Sequence, residues 1–188
     1  MRTVRMTAAV VASVALLAGC SSGEQANETL PTSSTSASAE PTATLPPIGP
    51  ADFPMPVEAR EKTEAGAEAF LDYYLAVEDR STEGEPIRQL SRECSVCRRV
   101  ADQRDSDRTA GYASSGGDYA ITVVGSFVQE DQANVIFTVN SDAIAVIDSD
   151  GTPVPDRGRD PIVDRSLDAF MAWDVAQTTW LMTEISQR

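Results

Sequence analysis

The feature that most constrains the fold is a change in hydrophobic periodicity near residue 112 of this 188-residue chain. In residues 66–77 apolar side chains recur every three or four positions, which predicts an amphipathic helix. In residues 119–127 apolar and polar side chains alternate, which predicts a strand with one buried face. A block of helices followed by a block of strands predicts an α+β domain.

The same patterns place the individual elements. Helices are predicted at residues 57–79, 86–90 and 95–109, and about four strands within residues 119–146, 161–175 and 178–185. Because the strands follow one another through short turns, we expect an antiparallel sheet covered by the N-terminal helices. The Ser/Gly-rich segment 112–119 lacks the Lys-Ser/Thr of a phosphate-binding loop and is predicted to be a flexible connector.

The predicted strands are long, and a sheet of long strands curls. A curled sheet with a long helix across its mouth resembles the nuclear-transport-factor-2-like (NTF2-like) and SnoaL-like folds. The ending TTWLMTEIS (178–186) is similar to the terminal strand of those folds. This resemblance covers residues 57–188 and implies a cone-shaped domain with an internal cavity.

The N-terminus carries a sorting signal. Arg2 and Arg5 precede an apolar stretch of about a dozen residues, which is the length of a signal-peptide core and too short to span a membrane. The segment Leu-Ala-Gly-Cys that ends at Cys20 resembles the lipobox of bacterial lipoproteins. That resemblance implies removal of residues 1–19, lipidation of Cys20, and anchoring to the extracytoplasmic face of the cell membrane. The alternative is an ordinary secretory signal with a chance cysteine.

Residues 20–52 are predicted to be a lipidated cysteine followed by a disordered linker. The segment consists mainly of Ser, Thr, Pro, Ala and Glu, so it cannot bury enough apolar surface to offset its chain entropy. We therefore expect a tether at residues 20–52 and a single α+β domain at residues 53–188.

Charge and composition exclude several functions. Removing residues 1–19 changes the net charge from −14 to −16, and such an acidic chain is repelled by nucleic acid and by anionic lipid head groups. The sequence contains no histidine, which excludes Ser-His-Asp and Cys-His catalysis and every histidine-ligated metal site. We expect no cofactor, no metal and no nucleic-acid partner.

Cys94 and Cys97 form a Cys-x-x-Cys motif in a compartment where disulfides persist. Redox-active motifs of this spacing follow a strand in a βαβ unit, whereas this one lies between two predicted helices. A structural disulfide is therefore favoured, with thiol exchange and a shared metal site as the alternatives.

A second resemblance includes this motif. The segments PMPVEAREKTEAGAEAFLDYYLAVED (54–79) and LSRECSVCRRV (90–100) resemble an uncharacterised domain family of actinobacterial lipoproteins. That family has no assigned activity, so the resemblance implies a location and a fold but no mechanism.

Four side chains are weak catalytic candidates. Asp164 and Asp168 lie on one predicted strand, and ketosteroid isomerases of the NTF2-like fold use an aspartate in the cone as a general base. Tyr73 or Tyr74 would supply a hydroxyl to stabilise an oxyanion. The competing interpretation, which we favour, is that both aspartates face solvent because the cavity side of the strand is the apolar side.

The loop at residues 147–160 has the Asp-Gly pattern of a calcium loop but not its ligands. Aligning Gly151 with the EF-hand glycine puts Val146 at the first ligand position and Arg157 at the last. An Asp-Gly turn with solvated acids is favoured.

These features predict an extracytoplasmic lipoprotein that binds a small ligand or an envelope protein and is not an enzyme. The first alternative is a SnoaL- or ketosteroid-isomerase-like enzyme that uses a cavity aspartate. The second is a structural accessory domain of a membrane complex.

Overall fold

A computed structural model describes residues 46–188 of the chain. The predicted signal peptide and Cys20 lie outside these residues. The elements are, in chain order, a 3-10 helix Val57–Arg60, α1 Glu64–Arg80, α2 Glu85–Gln89, α3 Ser95–Ala110, β1 Ala113–Gly116, β2 Tyr119–Gln129, β3 Gln132–Ser141, β4 Ile144–Ile147, β5 Ile162–Asp174 and β6 Thr179–Gln187. Within the described part of the chain, no helix is long and apolar enough to cross a membrane.

The predicted α+β class with an antiparallel sheet is confirmed. The main sheet has four strands in the order β2-β3-β5-β6, and every neighbouring pair is antiparallel. The register shifts once within each of the three strand pairs, and irregularities of this kind bend a strand and increase its twist. The helices pack on one face of this sheet, where α1 contacts β2 and β3 and α3 contacts β6.

The first helix begins later than the periodicity predicted. Residues 57–60 form a separate 3-10 turn, and α1 begins only at Glu64, because Thr63 caps it by accepting a hydrogen bond from the Gly66 amide at 3.0 Å. A Cβ at Gly66 would lie 2.1 Å from the Glu61 carbonyl oxygen, so this close approach requires glycine. The apolar stripe of α1 nevertheless faces the sheet as predicted.

The bounds of the third helix agree with the prediction to within one residue. It begins at Ser95 and ends at Ala110, one residue beyond the prediction. Gly111 follows it in the left-handed conformation with φ 72°, which stops the helix and favours glycine.

A second, two-stranded sheet was not predicted. The expected connector contains β1, which pairs antiparallel with β4. We expected residues 144–146 to prolong the preceding strand, but they belong to β4 and leave the main sheet. The reason for the failure is that β1 has the sequence Ala-Ser-Ser-Gly and is exposed along its whole length, so it carries no hydrophobic alternation.

The chain is already packed against the core at Ile48, five residues before the predicted start of the domain at Phe53. The Ile48 carbonyl accepts a hydrogen bond from the Met55 amide at 2.8 Å. Tyr73 on α1 fixes this segment, since its hydroxyl donates to the Phe53 carbonyl at 2.9 Å. Residues 48–55 are thus part of the folded unit.

Candidate functional site

A cavity of about 210 Å³ lies between α1, α3 and one end of the main sheet. Because neighbouring strands are antiparallel, one end of the sheet is formed by the start of β2, the end of β3, the start of β5 and the end of β6. All four strands contribute residues to the cavity at that end. Its apolar walls are formed by Leu75, Val96, Val100, Phe137, Val139, Ile144, Ile162, Leu167 and Ile185.

Several polar side chains interrupt this apolar lining. They come from separate elements: Tyr74, Glu78 and Asp79 from α1, Arg104 from α3, Tyr119 from β2, Ser141 from β3, and Arg159 from the loop before β5. A largely apolar cavity with a few convergent polar groups has the composition of a small-molecule binding site.

Tyr74 is the most unusual of these residues. Its side chain is 1 % exposed, and its hydroxyl has no hydrogen-bond partner among the described residues. A buried unpaired hydroxyl costs about 1–3 kcal/mol of stability. Burial, followed by the nearby Glu78 charge, raises the pKa of the Tyr74 hydroxyl well above its ordinary value, so the group stays protonated. The Tyr74 side chain lines the cavity, and its hydroxyl keeps an unused donor.

Glu78 lies one helical turn beyond Tyr74 and lines the same cavity. Burial of its carboxyl raises its pKa, and the positive charges of Arg104 and Arg159 oppose that shift only in part. The carboxyl of Glu78 is therefore easier to protonate than an exposed glutamate.

Two arginines border the cavity without a carboxylate in contact. Arg104 donates to the backbone carbonyl of Glu78 at 3.2 Å, and Arg159 donates to the Ser141 hydroxyl at 2.8 Å. Within residues 46–188 neither guanidinium forms an ion pair, whereas the arginines at positions 88, 92, 108, 157 and 188 all do. Each cavity arginine therefore keeps N–H donors for a ligand.

The sulfur atoms of Cys94 and Cys97 lie at disulfide-bonding distance, 2.00 Å, as predicted. Both side chains are buried, and Cys97 lines the cavity. The bridge closes the loop that begins α3, so it stabilises the helix that carries Val96, Val100 and Arg104 along the cavity wall. In the part of the chain that the structure describes, no group of three or more His, Cys, Asp or Glu side chains is placed to hold a metal.

Of the four weak candidates from the sequence, Tyr74 lines the cavity and the other three lie elsewhere. Tyr73 is buried against the N-terminal segment, where its hydroxyl is already bonded to the Phe53 carbonyl and burial raises its pKa to about 12. Asp164 and Asp168 lie on β5 away from the helices; Asp164 contacts Asn140 and Asp168 pairs with Arg188 at 3.1 Å. Neither aspartate is placed to act in this cavity.

The sequence analysis missed Glu78, Arg104 and Arg159. A signal for Glu78 was present, because it lies four residues after Tyr74 and eight after Phe70 and so continues the apolar stripe of α1. An acidic residue in the phase of a buried stripe indicates a carboxyl that faces the interior. Arg159 had no such signal, since it reaches the cavity from an irregular loop.

The face of the sheet away from the helices exposes apolar side chains. Phe127 and Phe170 flank Asn134 across three neighbouring strands and are 60 % and 39 % exposed. Val124 and Val163 are also exposed. Within residues 46–188, this outer face of the sheet is therefore exposed to solvent.

Comparisons with known proteins bear on the fold alone. No protein-family model matches the chain, and no curated protein matches it. Among solved structures, the chain is similar to the crystal structure of the intermembrane space region of the chloroplast protein ARC6, with a TM-score of 0.50 and 14 % sequence identity. The match covers 66 % of this chain and 95 % of that one. At this identity the similarity shows a shared fold.

Proposed function

We propose that this protein is a lipid-anchored extracytoplasmic lipoprotein whose domain binds a small molecule in the cavity between α1, α3 and the sheet. The observation that carries the binding function is the buried, unpartnered hydroxyl of Tyr74 at an otherwise mostly apolar cavity. A donor kept there at a cost in stability is explained by a ligand that accepts its hydrogen bond.

The proposal includes the cellular location and the family resemblance that the sequence predicts. Cys20 is the lipid attachment site, residues 20–47 tether the domain, the domain is of the NTF2-like type, and the chain is similar to the uncharacterised actinobacterial lipoprotein family. In support, helices cover one face of an antiparallel sheet and leave a cavity at one end, as that fold type implies.

The cavity limits the size of the ligand. Its 210 Å³ is below the range of about 300–1,000 Å³ that accommodates drug-sized molecules. A molecule of the size of a six-carbon chain fits these limits, whereas a steroid or a nucleotide does not.

The test is a calorimetric titration of the full-length protein with hexanamide, a small neutral probe. We expect saturable binding with one site per chain, lost in Val100→Phe because the new ring fills the cavity. Val124→Phe, which adds the same ring at an exposed position, is the control and should bind like the wild type. Absence of binding, or equal binding by Val100→Phe, would contradict a ligand site in this cavity.

One observation favours an enzyme as the second candidate. Glu78 and Tyr74 line one cavity with a carboxyl and a hydroxyl. The carboxyl has the chemistry of a general base and the hydroxyl that of an oxyanion donor, the two roles that the sequence analysis gives to an aspartate and a tyrosine. Glu78 replaces Asp164 and Asp168 in that role. Such an enzyme would catalyse exchange of the α-protons of 2-hexanone for deuterium, measurable by NMR in D2O. Exchange that is not reduced in Glu78→Gln would exclude this role.

The accessory-domain alternative rests on the exposed apolar side chains of the outer face. Exposed apolar residues are common on protein surfaces, and nothing on this face specifies a partner. The cavity, in contrast, combines shape, burial and unpaired donors, so ligand binding is the stronger proposal.

A further inference from the structure

The chemical class of the ligand follows from the unused hydrogen-bond donors at the cavity. Arg104 and Arg159 each donate one hydrogen bond to a neutral protein oxygen, which leaves most of their five N–H groups unused. The Tyr74 hydroxyl adds a further unused donor. Glu78 and Asp79 also line the cavity, but among the described residues neither carboxyl forms an ion pair with Arg104 or Arg159, so these donors stay unused.

Neither cavity arginine forms an ion pair within residues 46–188, although several arginines elsewhere do. Arg88 contacts two aspartates, at 2.7 and 2.8 Å, and Arg157 contacts Asp107 at 3.3 Å. Several other arginines of residues 46–188 also form no ion pair, so what sets Arg104 and Arg159 apart is that both border one cavity. Two such groups at one cavity indicate a site for an anion supplied by the ligand.

Glu78 opposes a bound anion only when its carboxyl is ionised. Its carboxyl is desolvated, and burial raises its pKa. Once protonated, it loses its charge and becomes a hydrogen-bond donor to an anionic oxygen. The other charged or titratable groups that line the cavity around it are Tyr74, Asp79, Arg104, Tyr119 and Arg159.

The apolar walls of the cavity determine the chemistry of the uncharged part of the ligand. Val100, Val139 and Ile185 come from a helix and two strands and enclose an apolar space that a fully hydrophilic anion would leave unfilled. The ligand therefore combines one anionic group with a short apolar body.

We infer that the cavity binds a small organic acid whose carboxylate accepts hydrogen bonds from Arg104, Arg159 and Tyr74 and whose apolar chain lies against Val100 and Val139. This inference rests on the proposed ligand-binding function. It adds that binding selects for a carboxylate over a neutral group of the same size.

The experiment compares hexanoate with hexanamide, which has the same shape and no charge, by calorimetric titration of the full-length protein at pH 8. We expect hexanoate to bind about tenfold more tightly, the value of one charge-assisted hydrogen bond. Arg104→Gln and Arg159→Gln should each remove that preference, and circular dichroism of both variants shows that they are folded. Arg98→Gln, at an exposed position of the same helix, is the matched control and should keep the preference.

Glu78 provides an independent check. Glu78→Gln removes the competing negative charge, so hexanoate affinity at pH 8 should rise relative to hexanamide, whereas Glu64→Gln at the exposed start of the same helix should have no effect.

The outcomes separate the two proposals. If hexanamide binds as tightly as hexanoate, the ligand site stands and its assignment to an organic acid is wrong. If the preference for hexanoate survives both arginine substitutions, the assignment is also wrong. If neither compound binds, the proposed function fails as well.

Discussion

The two ends of the interface between helix α1 and the sheet are built differently. At the packed end, defined by Ala67, Phe70, Met171, Trp180 and Met182, the side chains are at most 2 % exposed and fill the space between helix and sheet. At the hollow end, defined by the cavity, Tyr74 and Glu78 occupy the next two turns of the same helix and leave about 210 Å³ open.

The two ends also differ in whether their buried polar groups are hydrogen-bonded. At the packed end, the indole N–H of Trp180 donates to the Glu61 carbonyl at 2.9 Å. The Trp180 ring lies edge to face with the Trp173 ring, with 5.1 Å between the ring centroids. Tyr74 at the hollow end has no partner for its hydroxyl among the described residues. The indole of Trp180 is bonded in the core, whereas the unpaired hydroxyl of Tyr74 accompanies the cavity, which agrees with the proposed ligand site.

The largest predicted difference comes from truncating one side chain at each end. Trp180→Ala should lower the free energy of unfolding by about 3–5 kcal/mol, because it removes a fully buried ring and leaves a void. Leu75→Ala, which only enlarges the existing cavity, should cost about 1 kcal/mol. Urea denaturation of both variants measures the difference, and equal losses would contradict the distinction between the ends.

The next prediction exchanges the aromatic residues of α1. Phe70→Tyr places a hydroxyl in the packed end and should cost about 1–3 kcal/mol, since nothing there is free to bond it. Tyr74→Phe removes the unpaired hydroxyl and should raise stability by about 1 kcal/mol while weakening hexanoate binding. Thermal unfolding and titration together check the pair; a Tyr74→Phe variant that loses stability would show that the hydroxyl has a structural partner.

A matched pair on strand β3 tests the free volume directly. Val135 and Val139 lie on the same face of the strand, but Val135 is fully buried and Val139 lines the cavity. Adding one methylene with Val135→Leu should cost about 1–3 kcal/mol through overpacking. Val139→Leu should change stability by less than about 0.5 kcal/mol because the extra carbon enters open space. Similar costs at both positions would indicate that the cavity is filled.

The smallest effect is a pH dependence at the hollow end. The folded-state pKa of Glu78 lies above its ordinary value of 4.5, so folding favours the protonated carboxyl, and this contribution is lost as the pH rises through the folded-state pKa. Glu78→Gln should therefore gain stability relative to the wild type between about pH 5 and pH 8. Glu64→Gln should follow the wild type over the same range. A difference between Glu78→Gln and the wild type that does not grow with pH would contradict the buried carboxyl.

The sequence predicted the parts of the fold that are dominated by burial. The helices and the four long strands have periodic apolar faces, and the disulfide was predicted from the Cys-x-x-Cys spacing of Cys94 and Cys97 and from the predicted extracytoplasmic location. Strand β1 was missed because it is short, polar and exposed, so its pairing with β4 rests on backbone hydrogen bonds that leave no pattern in the side chains.

The site was less predictable, for a different reason. Asp164 and Asp168 were considered as catalytic residues, and the alternation of β5 correctly favoured a position away from the helices. Which polar residues surround the cavity depends on how α1, α3 and the loop before β5 meet, and that is a property of tertiary packing. Of the polar cavity residues that were missed, only Glu78 could have been predicted from the sequence, because it lies in helical phase with Phe70 and Tyr74.

The most direct test of the account is a crystal structure of the protein under xenon pressure, because xenon enters apolar cavities without needing polar contacts. We predict a xenon atom at the hollow end, between Val100, Val139 and Ile185, and none at the packed end around Phe70 and Trp180. Electron density showing side chains in place of that space, with no xenon bound there, would contradict the claim that this domain keeps an open cavity for a ligand.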